Sequence, residues 1–346
     1  MNGSLTVISH GSQLMKRSFV VLLIASLLLS LAVPLFYGGL GSLQEIKRLS
    51  IQDLAFLLGL VTLSWSFSSA RIQLLCRALG SEINIKHALG IGISREFAST
   101  ATPAGSGGPA VLILLLTRRD LNTAQATAVL LADSIADLAF FIILMPILLG
   151  YYFMTSGGGE TGYIALIVLL VLVLGATLLW FAVRHYRPVV LALGRFARPY
   201  RRFHKLRFRL ARGIIQFRRA TVILLKLPWF QLWMILLCSA GYWLARYAVL
   251  PVLLWMLHES VPLLYSFLIQ PLLMLSSTFV VLPGGGGSVE IGFGLLMKPY
   301  LDPTISAFTL LLWRFCTFYW YLIAGAPVFL AYVGRTHLFS KTAQEK

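Results

Sequence analysis

Runs of about twenty apolar residues recur from one end of this 346-residue chain to the other, and they constrain it more than any other feature. A helix of about 20 residues crosses the ~30 Å hydrocarbon core of a bilayer. In that core every backbone N–H and C=O must be satisfied within the chain, which makes the α-helix the default for such runs. The runs predict six spanning helices, at about 18–37, 54–76, 123–150, 162–184, 229–257 and 304–333. The expected fold class is an all-α polytopic membrane protein. Composition agrees: 58% of the residues are apolar and 12% charged, against about 45–50% and about 25% in an ordinary globular domain. No segment between the runs is long enough for a separate catalytic domain of usual size.

Charge orients the runs. The net charge is +17, from 29 Lys and Arg against 12 Asp and Glu. In a soluble chain this would suggest nucleic acid. Here the charge sits in membrane-flanking segments, where anionic lipid and the positive-inside rule account for it, so no nucleic-acid partner is expected. The segment from Arg184 to Lys226 holds 13 Lys and Arg and no acid, which predicts a cytoplasmic location. TSGGGETG at 155–162 has no basic residue and is expected outside. Lys16 and Arg17, Arg77 to Lys86 and Arg335 to Lys346 are then cytoplasmic, as are both termini. The expected location is the plasma (inner) membrane of a prokaryote. The first run is long for a signal-peptide core and shows no small-x-small cleavage site, so it reads as a retained helix. The basic stretch 184–219 alternates charge with Phe, Leu and Val; an interfacial amphipathic helix and a solvated topology determinant both fit. Cys76, Cys238 and Cys316 are isolated in or beside apolar runs and read as buried free thiols.

Two apolar pieces are not simple spans. Residues 88–117 start and end beside cytoplasmic charge and are broken by TATPAGSGGPA. Residues 262–297 start and end outside and are broken at LPGGGGSVE. A segment that enters and leaves on one side is a re-entrant hairpin. About 16 residues of helix rise ~24 Å, enough to bring a tip to mid-membrane. Sliding the sequence by 180 residues superposes the breaks: Pro103 on Pro283, Gly105 on Gly285, Gly107 on Gly287, and Leu121 on Leu301. The flanking spans align as well. Because the hairpins enter from opposite sides, the expectation is an inverted-topology repeat with a site where the broken segments meet. The organisation predicted is 1–49, tail and first helix; 50–150, first repeat; 151–227, an extra helix and the basic segment; 228–335, second repeat; and 336–346, a cytoplasmic tail.

The segments EFASTATPAGSGGPAVLILLLTR and LPGGGGSVEIGFGLL, followed by LLWRFCTFYW, resemble the flippase-like transmembrane family of lysylphosphatidylglycerol synthetases. That family includes the membrane half of the multiple peptide resistance factor and stand-alone proteins of unknown activity. Pro103, Gly105, Gly107 and Gly108 match its first break. Pro283, Gly284, Gly285, Gly286, Gly287 and Glu290 match its second, and Arg314 and Tyr319 its following helix. The chain departs from the pattern in two places. Gly108-Pro109-Ala110 stands where members often carry a Glu or Arg, and Asp133-Ser134 where they often carry Glu-Arg. The soluble aminoacyl-transferase domain is missing, so the resemblance implies lipid translocation rather than synthesis.

Several ionisable residues fall inside apolar runs: Arg95, Glu96, Asp133, Asp137, Arg246, Glu290 and Arg314. Each costs at least about 2.5–3.5 kcal/mol at the centre of a spanning helix unless paired or hydrated. They read either as an internal polar pathway or as structural pairs, for example Asp137 with Arg246. Half-helices starting at Gly108 and Ser288 would present N–H groups and a positive dipole end to a phosphate or carboxylate; helix packing through small residues is the plainer reading. Asp133 and Asp137 could hold a metal at i, i+4 spacing, but two ligands are weak support, and no metal or cofactor is expected. No HExxH or GxSxG motif occurs, so the chain reads as a non-enzyme.

The expected function is a lipid flippase or scramblase acting on a phospholipid, aminoacyl-phospholipid or polyprenyl-phosphate headgroup, with membrane lipids, mostly anionic, as partners. A homo-oligomer is compatible with the sequence. The alternatives are a transporter of a small soluble solute and, further off, an intramembrane headgroup transferase.

Overall fold

The structure is a computed structural model that describes residues 21–36, 38–119, 121–156, 160–185, 212, 215–216, 218–219, 221–222, 224–278, 280 and 282–344. The expectations for Lys16 and Arg17, for the centre of the 155–162 loop and for most of the basic stretch lie outside these residues.

The described residues are mostly helical, with no strand among them. In chain order they form α1 (Val21–Phe36), a 3₁₀ segment (Leu40–Arg48), α2 (Ile51–Ala78), α3 (Ile85–Ala101), α4 (Gly107–Thr117), α5 (Thr123–Ser156) and α6 (Glu160–Arg184). Then come α7 (Trp229–Met256), α8 (Leu263–Ser277), α9 (Ser288–Met297), α10 (Pro303–Arg314) and α11 (Trp320–Gln344). Among the described residues, four stretches are long and apolar enough to cross a membrane: Ile51–Ala78, Thr123–Thr155, Trp229–Met256 and Pro303–Val333. All four coincide with expected spans. Large apolar side chains such as Ile143, Met154, Trp255 and Leu330 are exposed, as lipid-facing residues of a membrane protein are. Pro146, Pro251 and Pro327 lie inside long helices, where neighbouring groups can re-satisfy the freed backbone carbonyls.

The two interrupted segments are helix–break–helix units, α3–α4 and α8–α9. Their breaks share one backbone. An extended residue, Thr102 or Leu282, leads into Pro103 or Pro283. A left-handed residue follows, Ala104 at φ 50° or Gly284 at φ 62°, and then Gly105 at φ 69° or Gly285 at φ 68°. The 180-residue offset is thus reproduced angle by angle. The copies part at the next residue: Ser106 is helical, whereas Gly286 is extended and Gly287 has φ 91°.

α10 and α11 are joined into one helical stretch by a π turn, Phe315–Tyr319. Such a turn carries one residue more than an α-helical turn and is frequent at functional sites.

The chain divides into two compact units, Met1–Thr62 with Ile93–Val111 and Ala245–Lys346, and Leu63–Gly92 with Leu112–Leu244. In the first, the 3₁₀ segment packs on α10, α8 packs on α9, and the two breaks touch. Its core includes Phe293, Trp313, Phe318 and Tyr321. In the second, α5 packs along α6, and Ile72, Leu112, Leu116 and Met145 form the buried centre.

Candidate functional site

In the first unit the site is built around the two breaks. The glycines there are used for close approach. A Cβ at Gly284 would lie 2.2 Å from the Phe318 ring, one at Gly285 2.2 Å from Ser277 Cβ, and one at Gly286 2.5 Å from Ser26 Oγ. At the first break a Cβ on Gly107 would meet Ala98 O at 2.6 Å, and one on Gly108 would meet Ser99 Cβ at 3.0 Å. Packing through small residues is therefore part of what these glycines do. Gly287 differs: nothing lies within 4 Å of where its Cβ would be.

The helix starts were expected at Gly108 and Ser288, presenting N–H groups to a ligand; in the structure one N–H at each start is taken up within the chain. α4 begins at Gly107, one residue earlier than expected, and the Gly107 N–H donates to Thr102 Oγ1 at 2.7 Å. Gly287 N–H donates to Glu290 Oε2 at 2.7 Å, a capping arrangement in which the third residue of α9 reaches back to its own N-cap. Each break supplies its own acceptor because a buried donor left unmade is costly.

Glu290 is also the partner of Arg314. Arg314 Nε and Nη2 reach Glu290 Oε1 at 2.6 and 2.5 Å, and both side chains are buried, at 2% and 0% exposure. The guanidinium lies over the Phe318 ring, 5.2 Å from its centroid. One carboxylate thereby joins the second break to α10. Tyr319 donates to Leu27 O at 3.0 Å and shares a hydrogen bond with Ser30, while Ser26 donates to Pro283 O, so α1 is tied to the second break and to the π turn. Ser288 Oγ donates to Gly285 O. Gln270 donates to Tyr247 O and Ser266 O and accepts from Trp313 Nε1, and Trp313 stacks on Phe293.

A second pair stands near the first break. Arg246 Nη1 contacts Glu96 Oε2 at 3.0 Å, and its guanidinium lies 4.9 Å from the Tyr321 centroid. These side chains keep 15% and 9% exposure, more than the Glu290–Arg314 pair. Arg95 is on the same helix, and its carbonyl lies 3.3 Å from the Cβ position of Gly108.

The second unit holds its own polar cluster. Arg71 Nε is 2.6 Å from Asp133, and its Nη1 and Nη2 contact Asp137. Ser239 and Trp243 Nε1 also donate to Asp137, at 2.8 and 2.7 Å, and Tyr242 lies beside the guanidinium. Sequence reading suggested Asp137 with Arg246; the structure pairs Asp137 with Arg71 and Arg246 with Glu96. Arg71, Ser239, Trp243 and Gln270 were not among the expected site residues. The signal for Arg71 was present, since it is an arginine within the 54–76 run.

An all-α polytopic chain with two broken helices meeting beside buried ion pairs defines a class of membrane protein. The chain belongs to the lysylphosphatidylglycerol synthase TM region family, whose model matches residues 19–325. It is also similar to a UPF0104 membrane protein of Archaeoglobus fulgidus, with 26% identity over 272 residues, 76% of this chain and 81% of the relative.

Proposed function

We propose that this protein is a transporter rather than an enzyme, and that it moves a lipid headgroup between the leaflets as a flippase or scramblase. The substrate would be a phospholipid, an aminoacyl-phospholipid or a polyprenyl-phosphate-type lipid. The membrane would be the prokaryotic plasma membrane, with both termini in the cytoplasm.

The observation that carries this reading is the meeting of two breaks with the same backbone, with a buried Glu290–Arg314 pair one turn beyond the second. Broken helices that meet between internal repeats form the substrate sites of many transporters. Irregular backbone at such depth persists only beside protein or a water-filled cavity. Glu290 would contact a cationic headgroup and Arg314 a phosphate, each exchanging its protein partner for the substrate. Glu96 and Arg246 would do the same at the first break, and Gly287 is the position where the backbone leaves room for approach.

The test uses proteoliposomes carrying, in turn, labelled phosphatidylglycerol, lysylphosphatidylglycerol, phosphatidylethanolamine and an undecaprenyl phosphate. The wild-type protein should speed loss of protection of inner-leaflet label from an impermeant quencher, and Glu290→Gln/Arg314→Met should return the rate to that of empty vesicles. Wild-type rates equal to empty vesicles for all four lipids would sink the proposal.

A further inference from the structure

In the first unit a groove of about 440 Å³ runs between α1, α9 and α10, within the usual ~300–1,000 Å³ of ligand pockets. Pro34, Ile291, Leu295 and Leu310 give it apolar walls, and Gly294 leaves its floor open, with nothing within 4 Å of its Cβ position. Ile291 and Leu295 are 46% and 67% exposed, on a chain whose exposed apolar side chains face lipid. The deep end is Glu290. The other end carries Lys298 and Asp302, both exposed. Asp302 occupies the N-cap of α10, yet its side chain makes no capping hydrogen bond. An apolar groove therefore carries one exposed cation and one exposed anion at the same end.

We propose that this groove binds one zwitterionic phospholipid of the phosphoethanolamine class. An alkyl chain lies along Leu295, Gly294 and Leu310, the phosphate sits at Lys298 and the ammonium at Asp302. Charge complementarity selects this occupant. A purely anionic headgroup would bring negative charge against Asp302, and a soluble solute would leave the apolar wall unused. The inference rests on the transporter reading for its purpose, since the groove holds a lipid beside Glu290, but its binding chemistry is separable.

The test labels Leu295→Cys with a polarity-sensitive fluorophore in dodecylmaltoside micelles; Cys76, Cys238 and Cys316 are buried. Dihexanoyl-phosphatidylethanolamine should bind saturably, about tenfold more tightly than dihexanoyl-phosphatidylglycerol. Lys298→Gln should weaken both lipids, and Asp302→Asn should remove the preference while keeping a good N-cap residue. Gly294→Leu should abolish saturable binding without lowering the unfolding temperature, because it fills open space on a helix. Non-saturable titration, binding that survives Gly294→Leu, or a preference that survives Asp302→Asn overturns the proposal. So does displacement of the lipid by free phosphoethanolamine at equal concentration. Saturable binding without translocation in the proteoliposomes removes the transporter reading and keeps the groove. Translocation at the wild-type rate in Gly294→Leu does the reverse.

Discussion

Glu290→Gln exchanges one carboxylate oxygen for an NH₂ group and removes one charge. In the structure Glu290 Oε1 takes two contacts from Arg314, and Oε2 takes the Gly287 N–H at 2.7 Å. A glutamine keeps a single carbonyl oxygen, so its NH₂ must face one of those donors. If it faces Gly287 the cap is lost, at about 0.5–2 kcal/mol. Either way the guanidinium, 2% exposed, stays buried without a counter-charge, which costs about 3–5 kcal/mol. The single variant should lose about 3–7 kcal/mol. Glu290→Gln/Arg314→Met removes both charges together. Replacing a buried pair by neutral groups of similar volume is often close to neutral. The double variant should therefore recover most of that loss, keeping a deficit of about 1 kcal/mol from the weakened cap. Unfolding of the detergent-solubilised wild type, both single variants and the double variant gives the coupling energy directly. A Glu290→Gln variant within about 1 kcal/mol of wild type, or a double variant no better than the worse single, would show that the two charges are not a coupled buried pair.

In the second unit, Arg71→Ala should cost at least about 3–5 kcal/mol, seen as loss of monodisperse protein on gel filtration, because Asp133 and Asp137 both lose its guanidinium; Arg71→Lys should recover only part of this, since an ammonium cannot contact both carboxylates as a fork. Gly284→Ala should lower stability by about 2–4 kcal/mol, from left-handed backbone strain and overlap with the Phe318 ring. Ala104→Gly, at the matching position of the other break, should stay within about 1 kcal/mol of wild type, since it relieves the same strain; equal effects at the two positions would refute the reading of the Phe318 contact. Glu96→Gln should destabilise less than Glu290→Gln, as its pair is more exposed; equal losses of unfolding temperature would count against the burial argument.

The spanning helices were legible because lipid imposes a length and a polarity that composition reports directly. The breaks were legible too, since Pro-Gly runs are costly inside an apolar helix unless something requires them, and the 180-residue offset located both. Partners were not legible. Asp137 stands about as plausibly opposite Arg246 as opposite Arg71 until helix rotation and tilt are known, and these are set by packing. The same holds for the capping of Gly287 by Glu290. The spacing of three residues was visible, but a carboxylate reserved for substrate and one bound to its own backbone have identical sequences. The use of Gly284, Gly285 and Gly286 as seats for Phe318, Ser277 and Ser26 depends on neighbours distant in the chain.

The π turn at Phe315–Tyr319 divides one continuous rod into two separately phased halves. Upstream of it Arg314 meets Glu290; downstream Tyr321 lies against Arg246. Each residue of α-helix turns by about 100°. Deleting a single residue here would let the rod close into an ordinary helix without a gap, yet would swing one half by about that angle relative to the other. The turn thus acts as an indexing joint: two polar contacts on one rod keep their own bearings, and a change in length of one residue would misalign one of them while leaving the helix whole.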